Sequence, residues 1–168
     1  MNPISAADLR AAFVNCSKRE ATAVVLPELD AVAWEDLDFL AWRNPRMPQR
    51  AYVACWVGDR LVAMVFRAAT RRAGDGAMRT SMCEFCHTVH SAGGVTLFTA
   101  NKSGTAGRRG DSVGTYFCAD LDCCLYVRDK KRPKRVQPQS TMTVDERIER
   151  LTEKLHGIVS RVLEPTST

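Results

Sequence analysis

Four cysteines in two pairs constrain this chain more than any other feature. Cys83-Glu-Phe-Cys86 places two thiols in one tight turn, and Cys118-Ala-Asp-Leu-Asp-Cys123 supplies a second pair. The 31 residues between Cys86 and Cys118 separate the pairs. Thiolates are soft donors, and four of them close a tetrahedral zinc site with no position left for substrate. The insert holds two β-rich runs, Val95–Thr99 and Gly114–Phe117, around a glycine- and arginine-rich loop. A cysteine knuckle, a hairpin, and ligands at the start of a helix make a treble-clef arrangement. The expected ligands are Cys83, Cys86, Cys118 and Cys123, and the expected cofactor is structural Zn²⁺. Cys124 adjoins Cys123, and either could close the site; Cys123 is preferred, leaving Cys124 buried or idle. His87 and His90 follow the first pair. They are possible replacement ligands, or else surface groups or partners supporting the ligands.

The seven cysteines are an odd number, spaced for metal rather than for a disulfide framework, and no secretory signal opens the chain. A reducing cytoplasm is the expected setting. No apolar run reaches the roughly 20 residues of a membrane span. At 168 residues the chain has room for one domain, or one domain with an appendage. Charge is uneven. Residues 1–40 carry 3 basic and 7 acidic side chains, whereas 41–168 carry 21 and 12. A basic half of this kind suits an acidic protein face or nucleic acid.

In chain order, Ser5 and Asp8 mark a helix start, and Leu9, Phe13 and Cys16 form a helical stripe. One helix is predicted from Ser5 to about Val25, with Cys16 as a small buried group. A short helix is predicted over 34–42, ending before Pro45. Ala51–Val57 and Arg60–Arg67 flank Gly58-Asp59 and predict a hairpin with Val57, Leu61, Val62, Val65 and Phe66 in the core and Cys55 inert. Residues 69–80, with Arg71, Arg72 and Arg79, read as an exposed linker. The loop 101–114 lacks the order of a phosphate-binding P-loop. Thr143 and Glu146 predict a capping box for a helix to about Leu163. The expected fold is α+β. It divides into an N-terminal helical region (1–45) and an α+β region (46–168), with an antiparallel sheet, the zinc finger at about 80–130 and a C-terminal helix.

Three stretches carry a family resemblance: Phe13–Lys18; Leu37–Pro45 leading into the Tyr52–Arg67 hairpin; and Cys83-x-x-Cys86 with Gly114–Cys123 and Tyr126–Arg128. Together they resemble the FusB-type, elongation factor G-binding family. The chain looks like its short form, without the longer helical N-terminal domain of the resistance proteins. The resemblance implies a C-terminal treble-clef zinc finger and binding to elongation factor G, with release of the factor from the ribosome as a further role of some members. The expectation is a non-enzymatic binding protein with no small-molecule substrate and no membrane. An RNA- or ribosome-binding zinc module is the alternative. Lys102, Arg108, Arg109, Tyr116, Lys130, Lys131 and Arg132 are the candidate partner contacts, chosen for charge and expected exposure. A hydrolytic zinc site would need an open position and a base such as Glu84 or His87.

Overall fold

The computed structural model describes residues 1–70 and 80–165. The elements run α1 (Ala6–Ala11), α2 (Lys18–Thr22), β1 (Phe39–Arg43), β2 (Arg50–Val57), β3 (Arg60–Ala68), β4 (Ser81–Met82), β5 (Val89–His90), β6 (Val95–Asn101), α3 (Gly104–Arg108), β7 (Ser112–Cys118), α4 (Cys123–Val127) and α5 (Val144–Leu163). Gly58 (φ +59°) and Asp59 make the tight turn between β2 and β3. Positive φ suits glycine there because no Cβ meets the backbone. Five strands form one antiparallel sheet in the order β1-β2-β3-β6-β7, and β4 pairs with β5 in a separate ribbon. Residue 45 falls in the turn between β1 and β2.

Strand alternation gives the sheet two covered faces. On one face Val53, Cys55, Val62, Met64, Phe66 and Phe98 pack with Leu151, Leu155, Ile158, Val159 and Val162 of α5 and with the zinc-finger cysteines. On the other, Leu40, Trp42, Tyr52, Ala54 and Ala63 pack with Ile4, Leu9 and Val24. Helix α5 has the predicted capping box, and Glu164 takes an extended conformation before Pro165. Within the predicted hairpin core, Val62 and Phe66 are buried, while Val57, Leu61 and Val65 are half-buried.

Two helical expectations fail. The predicted helix over residues 5–25 is two short ones. Between them Val14 donates its N–H to Ala63 O, and Ala63 N–H returns to Ala12 O, so Phe13 bridges onto β3. Asn15 secures the break: its Oδ1 accepts from Val65 N–H, and its Nδ2 donates to Val65 and Asn101 carbonyls. Ser17 and Glu20 then form a capping box that restarts the helix. The consequence is that Cys16 sits half-buried in the connection rather than on a buried helical stripe. The predicted helix over 34–42 is a 3-10 turn at Trp34–Asp36 followed by strand β1. Pairing of Phe39–Arg43 with Ala51–Cys55 outweighs the helical spacing of its apolar residues. Arg71, Arg72 and Arg79 of the expected linker lie outside the described residues.

Candidate metal centre and its surroundings

The knuckle is built by backbone turns. Cys83 accepts at its carbonyl from His87 N–H at 3.0 Å, and Phe85 N–H points at Cys83 Sγ at 3.4 Å. His87 holds φ +56° to complete the turn, as Leu121 (φ +67°) does in the turn between Cys118 and Cys123. Ribbon β4–β5 closes the knuckle through Cys83 N–H to Thr88 O at 3.0 Å. Cys118 ends β7, and Cys123 opens α4.

The ligand atoms of Cys83, Cys86, Cys118 and Cys123 all lie within 4.8 Å of one another, and all four residues are buried. Cys83 and Cys123 sulfurs are 3.7 Å apart, and those of Cys86 and Cys118 are 3.4 Å apart. A tetrahedron with 2.3 Å zinc–sulfur bonds separates its sulfurs by about 3.8 Å, so the cluster fits zinc in size as well as in donor type. Without a cation the four thiols cannot share negative charge evenly. Hydrogen bonds from Cys118, Cys123 and Cys83 hold Cys86 well below the usual thiol range. Burial, and then the neighbouring thiols, push Cys123 far up. A divalent cation removes that conflict.

Cys124 faces away from the cluster. It accepts from Asp38 N–H at 3.4 Å and lies 3.7 Å from Phe39 O, and burial pushes its thiol up to about 12. Cys55 is buried in β2, with its thiol likewise raised to about 12 by burial. His90 is buried with Nε2 3.2 Å from Cys118 Sγ, placed to donate to a thiolate, and its ring meets Tyr126 edge-on at 5.1 Å. Thr88 Oγ1 lies 3.2 Å from Cys86 Sγ. Gly94 lets His90 sit there, since a Cβ on Gly94 would come within 2.5 Å of His90 Cβ. His87 is on the exposed side of the knuckle, where burial and then Arg150 lower its pKa. Glu84 points away from the cluster: its carboxylate accepts from Thr115 Oγ1 at 2.7 Å and Tyr116 N–H at 3.1 Å.

Several supports come from residues whose roles the sequence does not indicate. Arg43 reaches from β1 to donate through Nε and Nη2 to Ala119 O, at 3.0 and 2.6 Å, while stacking over Phe98. Arg128 forms a two-pronged ion pair with Asp38 at 2.6 and 2.8 Å, largely shielded from solvent. Arg128 is therefore an internal clasp rather than a free surface charge. Lys130 pairs with Asp36, and Lys131 pairs with Asp120 and Asp122 at 2.8 and 2.5 Å.

The candidate partner contacts fall in three places. Lys102, Arg108 and Arg109 occupy the β6–β7 tip, where Ser103 N–H bonds Val162 O at the end of α5. Tyr116 stands exposed on β7. Lys130, Lys131 and Arg132 follow α4, beside Asp129, which pairs with Arg147 at the start of α5. Twenty helical residues span about 30 Å, so the tip and the 130–132 group flank opposite ends of α5. No helix among the described residues is long and apolar enough to cross a membrane.

An antiparallel sheet carrying a buried four-cysteine cluster between a knuckle and a helix start defines a treble-clef zinc-finger protein. The chain belongs to the family of the FBP C-terminal treble-clef zinc-finger, whose model matches residues 8–162. Among solved structures, the fusidic acid resistance protein FusC is similar in fold, with a TM-score of 0.54 at 14% identity over 75% of this chain. The match covers 53% of FusC, so this chain spans about half of that protein's length. No curated protein sequence matches the chain.

Proposed function

We propose that the protein is a non-enzymatic, cytoplasmic zinc protein that engages elongation factor G and aids the factor's departure from the ribosome. Family membership over residues 8–162 carries the reading, and the FusC-like fold is consistent with it. The four cysteines serve as the zinc ligands. When bound, the metal supplies a closed structural cross-link and no reactive position. The chain's own residues do the rest. Phe85 and Phe117 pack at 5.1 Å, and Glu84 ties the knuckle to β7 of the β6–β7 hairpin. A surface ordered before binding loses little entropy on docking. Tyr116 and the basic groups at Lys102, Arg108, Arg109 and Lys130–Arg132 supply contacts to an acidic face.

Calorimetric titration with purified elongation factor G tests the reading. Saturable binding with a dissociation constant below tens of micromolar in low salt is expected. No detectable binding under those conditions removes it.

A further inference from the structure

A cleft of about 710 Å³ opens beside the zinc knuckle and shares only Lys131 and Arg132 with the partner-binding surface proposed above. Its walls are the knuckle (Met82, His87), the segment 129–142, and the first turns of α5. The size falls within the range of about 300–1,000 Å³ usual for ligand sites. Gln137 holds the outer wall in place by mimicking a strand. Its side chain accepts from Val89 N–H and donates to Val89 O, both at 2.8 Å.

The charge in this cleft is unbalanced. Lys131, Arg132, Arg135, Arg147 and Arg150 line it against a single carboxylate, Asp129. Lys131 and Arg147 are already paired, with Asp120, Asp122 and Asp129. Among the described residues, Arg132, Arg135 and Arg150 form no salt bridge. Arg150 directs Nη1 at the Met142 thioether, a weak acceptor, at 2.8 Å. The Nε atoms of Arg147 and Arg150 are buried with no hydrogen-bond partner. A buried guanidinium donor without an acceptor is costly, so these arginines are held in place by the fold at a cost, with their charge left to face the cleft.

We infer that this cleft binds the backbone of single-stranded RNA, with Arg135 and Arg150 forking onto phosphate oxygens. Two features favour RNA over an acidic peptide. Four of the five cations are arginines, whose planar groups both fork onto phosphate and stack on bases. Met82, Met142, Pro133 and Pro138 add apolar wall for a ribose or base. A peptide would also need several carboxylates in register, whereas every nucleotide brings its own charge. The inference does not rest on elongation factor G binding.

Fluorescence anisotropy with a labelled ten-nucleotide uridine RNA provides the test, at 50 and 200 mM salt. Phosphate contacts from Arg135 and Arg150 give a slope of about −1.4 for log K against log salt. The double variant R135Q/R150Q should weaken binding about tenfold at the lower salt. R60Q, which removes one positive charge at the distant β2–β3 turn, should leave it unchanged. Zinc content and circular dichroism verify the fold. Should the double variant misfold, R135Q alone serves, since Arg135 is exposed and its side chain forms no salt bridge among the described residues. Three results overturn the inference: no RNA binding at tens of micromolar, equal binding by the cleft variants, or displacement of RNA by a ten-residue glutamate peptide at matching charge. The same variants titrated with elongation factor G report on that interaction separately.

Discussion

The two faces of the sheet are covered in contrasting ways. One face receives a twenty-residue helix and a cysteine cluster, both fixed by strong regular constraints. The other receives residues 1–37, which contain helices of only six and five residues and two 3-10 turns. Short helices of this kind are marginal on their own. Hydrogen bonds to the sheet hold this layer: Asn15 to Val65 and Asn101, and Trp42 Nε1 to Val25 O at 2.9 Å. The lesson is that the metal-bearing face is rigid through cross-linking, and the N-terminal face is held through many small, separable contacts.

The sharpest way to break the contrast is to remove the metal. Cys123→Ser should release zinc and unfold the segment 80–130, because metal affinity there is folding free energy. Cys124→Ser should keep its zinc, since that sulfur faces Asp38 and Phe39 instead. Metal analysis and proton NMR of the two variants read this directly. Next in size, Leu151→Ala empties a fully buried site between α5 and the sheet and should cost about 2–5 kcal/mol in urea denaturation. A third change tests how the two layers are joined. Asp38 leaves the N-terminal segment to meet Arg128 behind α4, and Asp38→Asn should cost about 3 kcal/mol by leaving a shielded guanidinium uncompensated. The exposed Lys130 beside it should matter far less: Lys130→Ala is expected to cost about 0–1 kcal/mol.

The smallest effect concerns Cys16 on the N-terminal face. Burial, and then the Glu20 carboxylate, push its thiol up to about 11. A raised thiol pKa favours the neutral form, so at pH 8 about one molecule in a thousand is thiolate, against about one in four for a free cysteine. Alkylation at pH 8 should therefore be slow and should accelerate as pH rises toward 11. Glu20→Gln should speed it modestly by removing the second cause. Fast labelling at neutral pH in the folded protein would show that this layer opens readily.

Legibility followed the same division. The cysteine spacing, the Gly58-Asp59 turn and the Thr143–Glu146 capping box are local signals, and each appears in the structure where the sequence indicated. The Cys123 sulfur lies with those of Cys83, Cys86 and Cys118, whereas that of Cys124 faces Asp38 and Phe39. The N-terminal layer is not legible in the sequence because its decisive contacts are distant along the chain. Phe13 and Asn15 are drawn onto β3, fifty residues away, and no periodicity records that. The Ser17–Glu20 capping box was a local clue to the second helix that the longer apolar stripe obscured. Arg43, Arg147 and Arg150 carry no motif, and only the folded arrangement brings them beside the knuckle.

The central claim is a zinc ion held by four sulfurs and closed to chemistry. X-ray absorption at the zinc edge of the purified protein measures it. Four sulfur neighbours at about 2.3 Å are expected. Three or fewer sulfurs, with a histidine nitrogen or a water oxygen completing the shell, would contradict it.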